Sequence, residues 1–404
     1  MSGGYEAAVD RLLNPTAADA GVAATPAPTF AAVLRPKRDT GREERQKYRK
    51  IRREQRIQLV TWWVDRMVRV EHPFSEKLTL LWHNHWATSV LKSGPSSQML
   101  GQLATLRSLG TGDFRDLARA MVRDPAMLVW LDGPQNRKGK PNENLARELM
   151  ELFTLGVGHY TESDVREAAR ALTGWRVDRD AGTSELVERR HDAGSKTVLG
   201  KTADFDDRSL VDHLVDQPQS ARFVASRLWY RLAASQDPPA DVLRRLLGAY
   251  GPGRDLGALI RAILLDPAFR SGSTRHALVK QPVEYVVGTL RALRLSSGPH
   301  ALTALRSLGQ VPLQPPSVGG WPAGQAWLTT SSAQARLRFA QWAARTADLS
   351  ALDKQPPAAR IDAVARLLSV EAWTPRTRTA LAAASVDPDR LLTLALVSPE
   401  YVVN

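Results

Sequence analysis

Apolar residues recur at spacings of three and four along most of the chain, which is the pattern of helices with one buried face. The pattern predicts amphipathic helices at residues 56–70, 74–88, 96–109, 114–122, 142–155, 161–172 and 219–233. Strand signals are few, and the best lies between Trp175 and Leu199, where short β-prone runs alternate with glycine-containing turns. The sequence therefore predicts a mainly α fold, a multi-helix globular array with a small β-hairpin insertion near residues 175–200.

The beginning of the chain differs in composition from the rest. A short N-terminal helix is followed at residues 14–34 by Ala, Pro, Thr and Gly without sustained periodicity, which is typical of an extended connection. We therefore predict an N-terminal unit at residues 1–34 and a single large helical domain at residues 35–404, with a candidate sub-boundary near residues 205–218.

One local unit recurs, an amphipathic helix that stops at Asp-Pro or Ser-Pro. It is seen in LARAMVRDPAML from Leu117, LIRAILLDPAF from Leu259 and LTLALVSPEYV from Leu392. Proline suits the first turn of the helix that follows, because its missing N–H is not needed there. The unit predicts helix pairs joined by tight turns, and its irregular spacing argues against a solenoid.

Composition excludes several classes of protein. The chain has 404 residues, of which 43% are hydrophobic, and it contains no cysteine. Disulfide scaffolds, cysteine-bound metals and thiol nucleophiles are thereby excluded, so any divalent metal must be held by His, Asp, Glu or backbone oxygen. No GxSxG, Walker loop, GxGxxG after a strand or HExxH occurs. No run approaches the roughly 18–20 apolar residues of a transmembrane helix, which indicates a soluble globular chain.

Much of the positive charge is local. The formal net charge is +13, and residues 35–56 hold eleven basic and four acidic residues, 11 − 4 = +7. Strong helix formers with interspersed Glu favour a solvated helix there, and contact with a polyanion, phosphate or acidic lipid, is the alternative. Nucleic acid is not favoured, because the segment lacks interleaved aromatic residues and any nucleic-acid fold motif.

The N-terminus carries no export signal. The opening MSGGYEAAVDRLLNP lacks a charged start followed by an apolar run and lacks a small-residue cleavage site. As written, the sequence predicts a cytoplasmic chain, and the alternative is that its start is misplaced or truncated and a leader is missing.

Candidate acid–base residues lie on the helix predicted at residues 142–155. At 100° per residue, Asn144, Glu148 and Glu151 fall within about 60° of each other on the flank of the apolar stripe. Two carboxylates one turn apart can bind a divalent metal or serve as acid and base, with Asn144 and Arg147 as substrate contacts. On most helices such a pair is simply solvated, with an arginine nearby.

Two histidines in LLWHNHWATS are candidate metal ligands. On a helix His83 and His85 point about 200° apart, so they cannot face one metal unless the helix ends between them. His85 falls in the apolar stripe, which favours a buried core histidine over a ligand or base.

A further cluster follows on the predicted hairpin. His191 and Asp192 offer an acid–base group and an orienting carboxylate, and Lys196 offers an anion-binding ammonium. Trp175, at the start of the same segment, is a candidate substrate contact. The alternative is a turn stabilised by the Asp192 side chain.

The segment VPLQPPSVGGWPAGQAWL contains too much Pro and Gly for a helix, yet it carries Trp321 and Trp327. Two tryptophans indicate that this loop packs against something. It is either pinned onto its own domain or forms the wall of a ligand groove, with Trp321 as a substrate contact.

Several of these motifs are specific in combination. They are NENLARELMELFTLGVGHYTESDVREAARALTGW, WHNHWATS, HDAGSKTVLG, KQPVEYVVGTLRAL, PPSVGGWPAGQAWL and the closing SPEYVV. From about Tyr5 to Val403, and in the order in which they occur along the chain, they resemble the bacterial family called domain of unknown function 1800. The resemblance implies a helical protein whose relatives often carry an export signal, frequently of the twin-arginine type. It also implies a candidate partner, the sulfatase-like family called domain of unknown function 1501, which is commonly encoded beside it. It assigns no catalytic role to any residue.

The residues support two hypotheses about function. In the first, Glu148, Glu151, His85 and the His191–Asp192 pair converge on one polar cleft for metal-assisted or acid–base chemistry or ligand binding. In the second, the chain is a non-enzymatic accessory or assembly protein that acts with a partner encoded nearby. Its Glu, His and Arg residues then form a structural network, and the Trp321 loop marks an interface.

Overall fold

The computed structural model describes residues 4–37 and 39–403, and most of them lie in helices. The helices of the first half are α1 Tyr5–Leu13, α2 Ala20–Ala23, α3 Arg42–Arg69, α4 Pro73–His85, α5 Ser96–Leu109, α6 Phe114–Arg123, α7 Pro125–Trp130, α8 Asn144–Glu148, α9 Glu162–Ala171 and α10 Asp207–Asp216. A π-helix, Leu149–Thr154, continues α8.

The second half is helical in the same way. Its helices are α11 Pro218–Leu232, α12 Ala240–Tyr250, α13 Leu256–Leu265, α14 Pro282–Ala292, α15 Pro299–Leu308, α16 Thr330–Thr346, α17 Ser350–Asp353, α18 Pro357–Leu368, α19 Pro375–Ala384, α20 Pro388–Leu396 and α21 Pro399–Val402. The mainly α fold predicted from the sequence is confirmed, and each helix predicted from periodicity is present.

Two predictions for the first 70 residues need correction. The helix predicted at residues 56–70 and the charged helix before it are one continuous helix, α3, whose first half is largely exposed. The connection predicted as extended at residues 14–34 contains one helical turn, α2, because Asp19 accepts a hydrogen bond from Val22 N at 3.0 Å. Arg38, which belongs to the predicted polyanion segment, lies outside the described residues.

The β insertion consists of two small antiparallel hairpins rather than one. Strand β1 (Trp175–Asp178) pairs with β2 (Thr183–Leu186), and β3 (Lys196–Val198) pairs with β4 (Lys201–Ala203). The turn between β3 and β4 has positive φ at both central residues, Leu199 at 49° and Gly200 at 78°, as a tight two-residue hairpin turn requires.

The predicted Asp-Pro and Ser-Pro units do begin helices or helical turns. Asp124 accepts from Met127 N at 2.8 Å and Asp266 from Ala268 N at 2.9 Å, each with proline at the first position of the new turn. Ser398 caps α21 in the same way. Each unit reverses the chain direction with its terminal N–H groups satisfied by one side chain.

Buried apolar side chains form two clusters, one mainly from α4 and α6–α13 and the other mainly from α3, α5 and α14–α20. Helix α4 contributes to both, since Trp82 belongs to the first cluster and Leu80 to the second. Its side chains therefore lie where the two clusters meet.

Helix α1 packs against α13, where Tyr5 Oη donates to the Leu264 carbonyl at 2.8 Å. The predicted division into residues 1–34 and 35–404, with a sub-boundary near 205–218, stays a prediction. Of the helices within the described ranges, none has both the length and the apolar character needed to cross a bilayer.

Candidate functional site

His83 is sealed inside the protein. Its side chain lies between the rings of Trp63 and Trp321, with both ring centroids 5.5 Å away, and its residue exposure is 0%. Neither ring nitrogen has a hydrogen-bond partner in the described part of the chain. Burial lowers the pKa of His83 to about 3, so the imidazole is neutral at physiological pH.

His85 points to the other side of α4, as the helical geometry predicts. Its Nε2 lies 3.0 Å from the carbonyl oxygen of Phe153. Because a carbonyl oxygen can only accept, the proton of the neutral imidazole is on Nε2, and Nδ1 is a buried acceptor with no partner among the described residues. Burial, followed by the charge of Arg227, lowers the pKa of His85 to about 3.

The carbonyl that binds His85 belongs to the π-helix. In that segment Leu155 N donates to Met150 O at 2.9 Å, five residues back, and Thr154 Oγ1 donates to Leu149 O at 2.6 Å. This bonding shifts the last turn of the predicted helix out of α register. π-Helical turns are rare and are frequently found at functional sites.

Glu148 and Glu151 flank the point where α8 becomes the π-helix, and both are half-buried. Glu148 has no hydrogen bond or ion pair with any described residue. Burial, and then the negative charge of Glu151, raises the pKa of Glu148 above its usual value. Tyr160 donates its hydroxyl hydrogen to Glu151, and burial together with this bond raises the pKa of Tyr160 to about 12.

Arg147 does not neutralise the Glu148–Glu151 pair through direct contact. Its guanidinium lies 2.7 Å from Glu162 and 3.0 Å from Glu143. Asn144 is half-buried, and its backbone N–H donates to Asn142 Oδ1 at 3.0 Å at the start of the helix. Of the four predicted polar residues on this helix, Glu151 and then Arg147 are close enough for their charges to act on Glu148.

His191 and Asp192 lie beside the C-terminal end of α9. Arg170 Nε is 2.8 Å from Asp192, and this hydrogen bond lowers the pKa of the Asp192 carboxyl. His191 Nδ1 lies 3.0 Å from the Thr173 carbonyl oxygen, so it carries the proton in the neutral ring. The Asp192 backbone N–H donates to Thr173 Oγ1 at 2.8 Å. These contacts fix the orientation of both side chains.

Lys196 and Trp175 are more buried than substrate contacts usually are. Lys196 is 1% exposed, and its Nζ donates to the Gly194 carbonyl at 2.7 Å. Burial lowers the pKa of Lys196. Trp175 is 8% exposed, with the Arg123 guanidinium 5.7 Å from its ring centroid.

Trp321 is pinned to α4, and it is 2% exposed. Its backbone N–H donates to Asn84 Oδ1 at 2.7 Å. The chain reaches this position through Gly320, which has φ of 79° and lies so close to α4 that an added Cβ would be 2.3 Å from Asn84 Oδ1. Only glycine fits there, because any side chain would collide with Asn84.

The structure thus places the predicted residues in three locations. The carboxylate pair lies near the start of α9, where Arg147 reaches Glu162, and Asp192 lies near its end, where it binds Arg170. Eight residues of helix separate Glu162 from Arg170, which corresponds to about 12 Å. The two histidines of α4 form the third location, where their rings are packed against aromatic side chains. Among residues 4–37 and 39–403, His85 bonds the π-helix backbone at Phe153, but no hydrogen bond or ion pair joins the predicted side chains of one location to those of another. No group of three or more His, Asp or Glu side chains in these ranges could hold a metal ion.

Three polar residues near these locations were not singled out from the sequence. Tyr160 follows the glycine turn after the π-helix, and nothing in the local pattern shows that it folds back onto Glu151. Arg227 and Arg231 lie on α11, and the sequence could have identified them. The helix Pro218–Leu232 contains arginines but no Asp or Glu, so no carboxylate of the same helix can pair with them.

The fold and these groups define a mainly α-helical protein with two buried histidines on one helix and a half-buried carboxylate pair at a π-helix. Residues 1–403 match the model of the family described as Protein of unknown function (DUF1800). The chain belongs to this family, which confirms the resemblance seen in its motifs. No curated protein and no solved structure is detectably similar to it.

Proposed function

We propose that the chain binds a small polar ligand at the Glu148–Glu151 face and carries out acid–base chemistry on it. Glu148 is the proton donor in this proposal, and Glu151 is the neighbouring carboxylate. The observation that supports the proposal is the environment of Glu148, which is half-buried, has no partner among the described residues and has a raised pKa. The neighbouring carboxylate of Glu151 is oriented by the hydrogen bond from Tyr160. Carboxyl pairs whose environments differ in this way are the usual basis of an acid and base assignment.

The ligand contacts can come from the neighbouring polar groups. Asn144 lies one turn before Glu148 on the same strip of helix, and Arg147 is 33% exposed, so its guanidinium remains accessible beside its acidic partners. Val157, in the loop after the π-helix, is 74% exposed and offers an apolar contact at the same edge. A metal-assisted version has less support, because this face supplies two carboxylates and no third ligand in the described residues.

His191, Asp192 and Lys196 would act at a distance in this proposal. Their hydrogen bonds to Thr173, Arg170 and Gly194 hold the C-terminal end of α9, and the N-terminal end of α9 carries the partner of Arg147. We therefore assign them a positioning role rather than contact with the ligand.

The test is carboxyl labelling with a water-soluble carbodiimide and glycinamide as a function of pH, mapped by mass spectrometry. Carbodiimides react with protonated carboxyl groups, so the pH at which labelling falls by half reports protonation independently of the absolute rate. Labelling of Glu148 should persist to higher pH than labelling of Glu188 in the same sample, because Glu188 is exposed and forms no ion pair with any residue that the structure describes. The Glu151→Gln variant should bring the Glu148 midpoint down, because it removes a like charge. Equal midpoints for Glu148 and Glu188 would overturn the proposal.

A second candidate function is the accessory or assembly role. The observation that favours it is the number of predicted site residues that are engaged in internal pairs: Arg147 with Glu143 and Glu162, and Asp192 with Arg170. The Arg147→Gln variant separates the two functions. In an assembly protein it would weaken co-purification with a partner, whereas at an acid–base site it would leave co-purification unchanged, and the lost positive charge raises the labelling midpoint of Glu148 in either case.

A further inference from the structure

Helix α11 carries two arginines one helical turn apart, Arg227 and Arg231, on the side that faces α4 and the Trp321 loop. Arg231 Nη2 donates to the Trp321 carbonyl at 3.3 Å. The charge of Arg227, and to a smaller extent that of Arg231, acts on His85. Both arginines are half-buried, so they are partly withdrawn from water.

Neither guanidinium has a carboxylate partner among the described residues. Arg227 makes no hydrogen bond there, and Nη1 of Arg231 is a buried donor without an acceptor. Burial, and then the charge of Arg227, lowers the pKa of Arg231 to about 10. Arg147 and Arg170, by contrast, each contact two carboxylates. Adjacent buried cations without counter-ions are unfavourable unless an anion joins them.

The acidic residue near Arg231 is already engaged. Glu284 lies 3.0 Å from Lys77 Nζ and accepts a hydrogen bond from Gln281 N at 3.0 Å. Its charge also acts on Lys280, whose pKa burial lowers to about 8. The carboxylate of Glu284 therefore interacts with several cations, and the region around Arg231 has more positive than negative charges.

A cavity lies at the C-terminal end of α11. It has a volume of about 400 Å³ and is lined by Lys77, Lys280, Leu232 and Ala233, but not by Arg227 or Arg231. This volume is typical of small-molecule sites. Its acidic wall residues have partners of their own, since Glu371 pairs with Arg275 and Glu400 accepts from Thr374 N.

We propose that Arg227 and Arg231 form a binding site for the oxyanion of a small ligand, a phosphate monoester or a carboxylate. The planar guanidinium group donates two parallel hydrogen bonds to either oxyanion, and two such groups one turn apart can hold it from both sides. The site is separate from the Glu148–Glu151 face and stands whether or not that face is catalytic.

The test measures binding of sodium phosphate and, separately, sodium acetate by calorimetry and by thermal shift, against sodium chloride at matched ionic strength. Arg227→Gln and Arg231→Gln should each weaken binding by ~10-fold or more, because each removes a charged, bidentate contact. Arg222→Gln is the matched control, since Arg222 is an exposed arginine on the same helix. Binding of phosphate alone identifies a phosphate-bearing ligand, and binding of acetate alone identifies a carboxylate.

Two results would overturn the proposal: no binding of either anion, or binding that both Gln variants share equally with the Arg222 control. If a Gln variant fails to fold, crystals of the intact protein soaked in selenate decide the question. The proposal expects an anomalous peak between the two guanidinium groups, and a map without one refutes it.

Discussion

The two buried histidines of α4 should make the protein lose stability as the pH falls from 8 to 5. In the unfolded chain a histidine takes up a proton near pH 6.5, whereas the folded protein keeps His83 and His85 neutral down to about pH 3. Since the folded-state pKa lies below the unfolded value, the stabilising contribution is complete above pH 6.5 and is lost as the pH falls toward 3.

The size of the effect follows from the same values. Each neutral histidine costs ~1.4 kcal/mol of unfolding free energy per pH unit below its unfolded pKa, so at pH ~5 the loss is ~2 kcal/mol for one and ~4 kcal/mol for both. Asp124 acts in the opposite direction, because burial raises its pKa to about 6 and its protonation offsets ~1 kcal/mol over this range. That offset is common to all variants and cancels when they are compared.

The perturbation is His83→Leu, which removes a titrating ring that makes no hydrogen bond within the described residues. Urea denaturation followed by tryptophan fluorescence gives the unfolding free energy at both pH values. The variant should lose ~2 kcal/mol less than the wild type between them, whereas any change in packing contributes at both pH values and cancels. His159→Leu is the control, since His159 is exposed. If His83→Leu keeps the full pH dependence of the wild type, the reasoning is refuted.

Two further substitutions test the packing around the site, both by urea denaturation. Glu76→Ala should destabilise the protein by ~3–5 kcal/mol, because it leaves two half-buried arginine side chains and a buried indole N–H without their acceptor. The exposed Glu71→Ala is its control, and a loss below ~1 kcal/mol would show that the buried network is not important. Gly320→Ala should cost ~2 kcal/mol or more, because the new Cβ meets Asn84 and the residue has positive φ. Gly319→Ala, whose added Cβ finds its nearest atom at 3.6 Å, should have little effect, and equal losses for the two glycines would contradict this account.

The helices and their junctions could be predicted from the sequence because both depend on local physics. Apolar spacing located the helices, and the Asp-Pro and Ser-Pro units located turns whose side-chain caps are seen at Asp124, Asp266 and Ser398. The π-helix at Leu149–Thr154 could not be predicted, since apolar spacing alone does not distinguish it from α-helix. The contact that binds its freed carbonyl comes from His85, far away in sequence.

The candidate site was predictable only in part, for a similar reason. Spacing on one helix placed Glu148 beside Glu151, and it placed His83 and His85 on opposite sides of α4. Whether these groups contact Tyr160, Phe153 or Arg227 depends on how helices that are distant in sequence pack together. Local sequence patterns do not predict that packing. The second hairpin could not be predicted from the sequence either, because β3 and β4 are only three residues long.

The measurement that tests the central claim most directly is a carbon-13 NMR titration of the Glu148 side-chain carboxyl, assigned by its absence in Glu148→Gln. The account predicts a pKa above the ordinary glutamate value of 4.5 in the wild type and a lower pKa in Glu151→Gln. A pKa at or below 4.5 that Glu151→Gln leaves unchanged would contradict it.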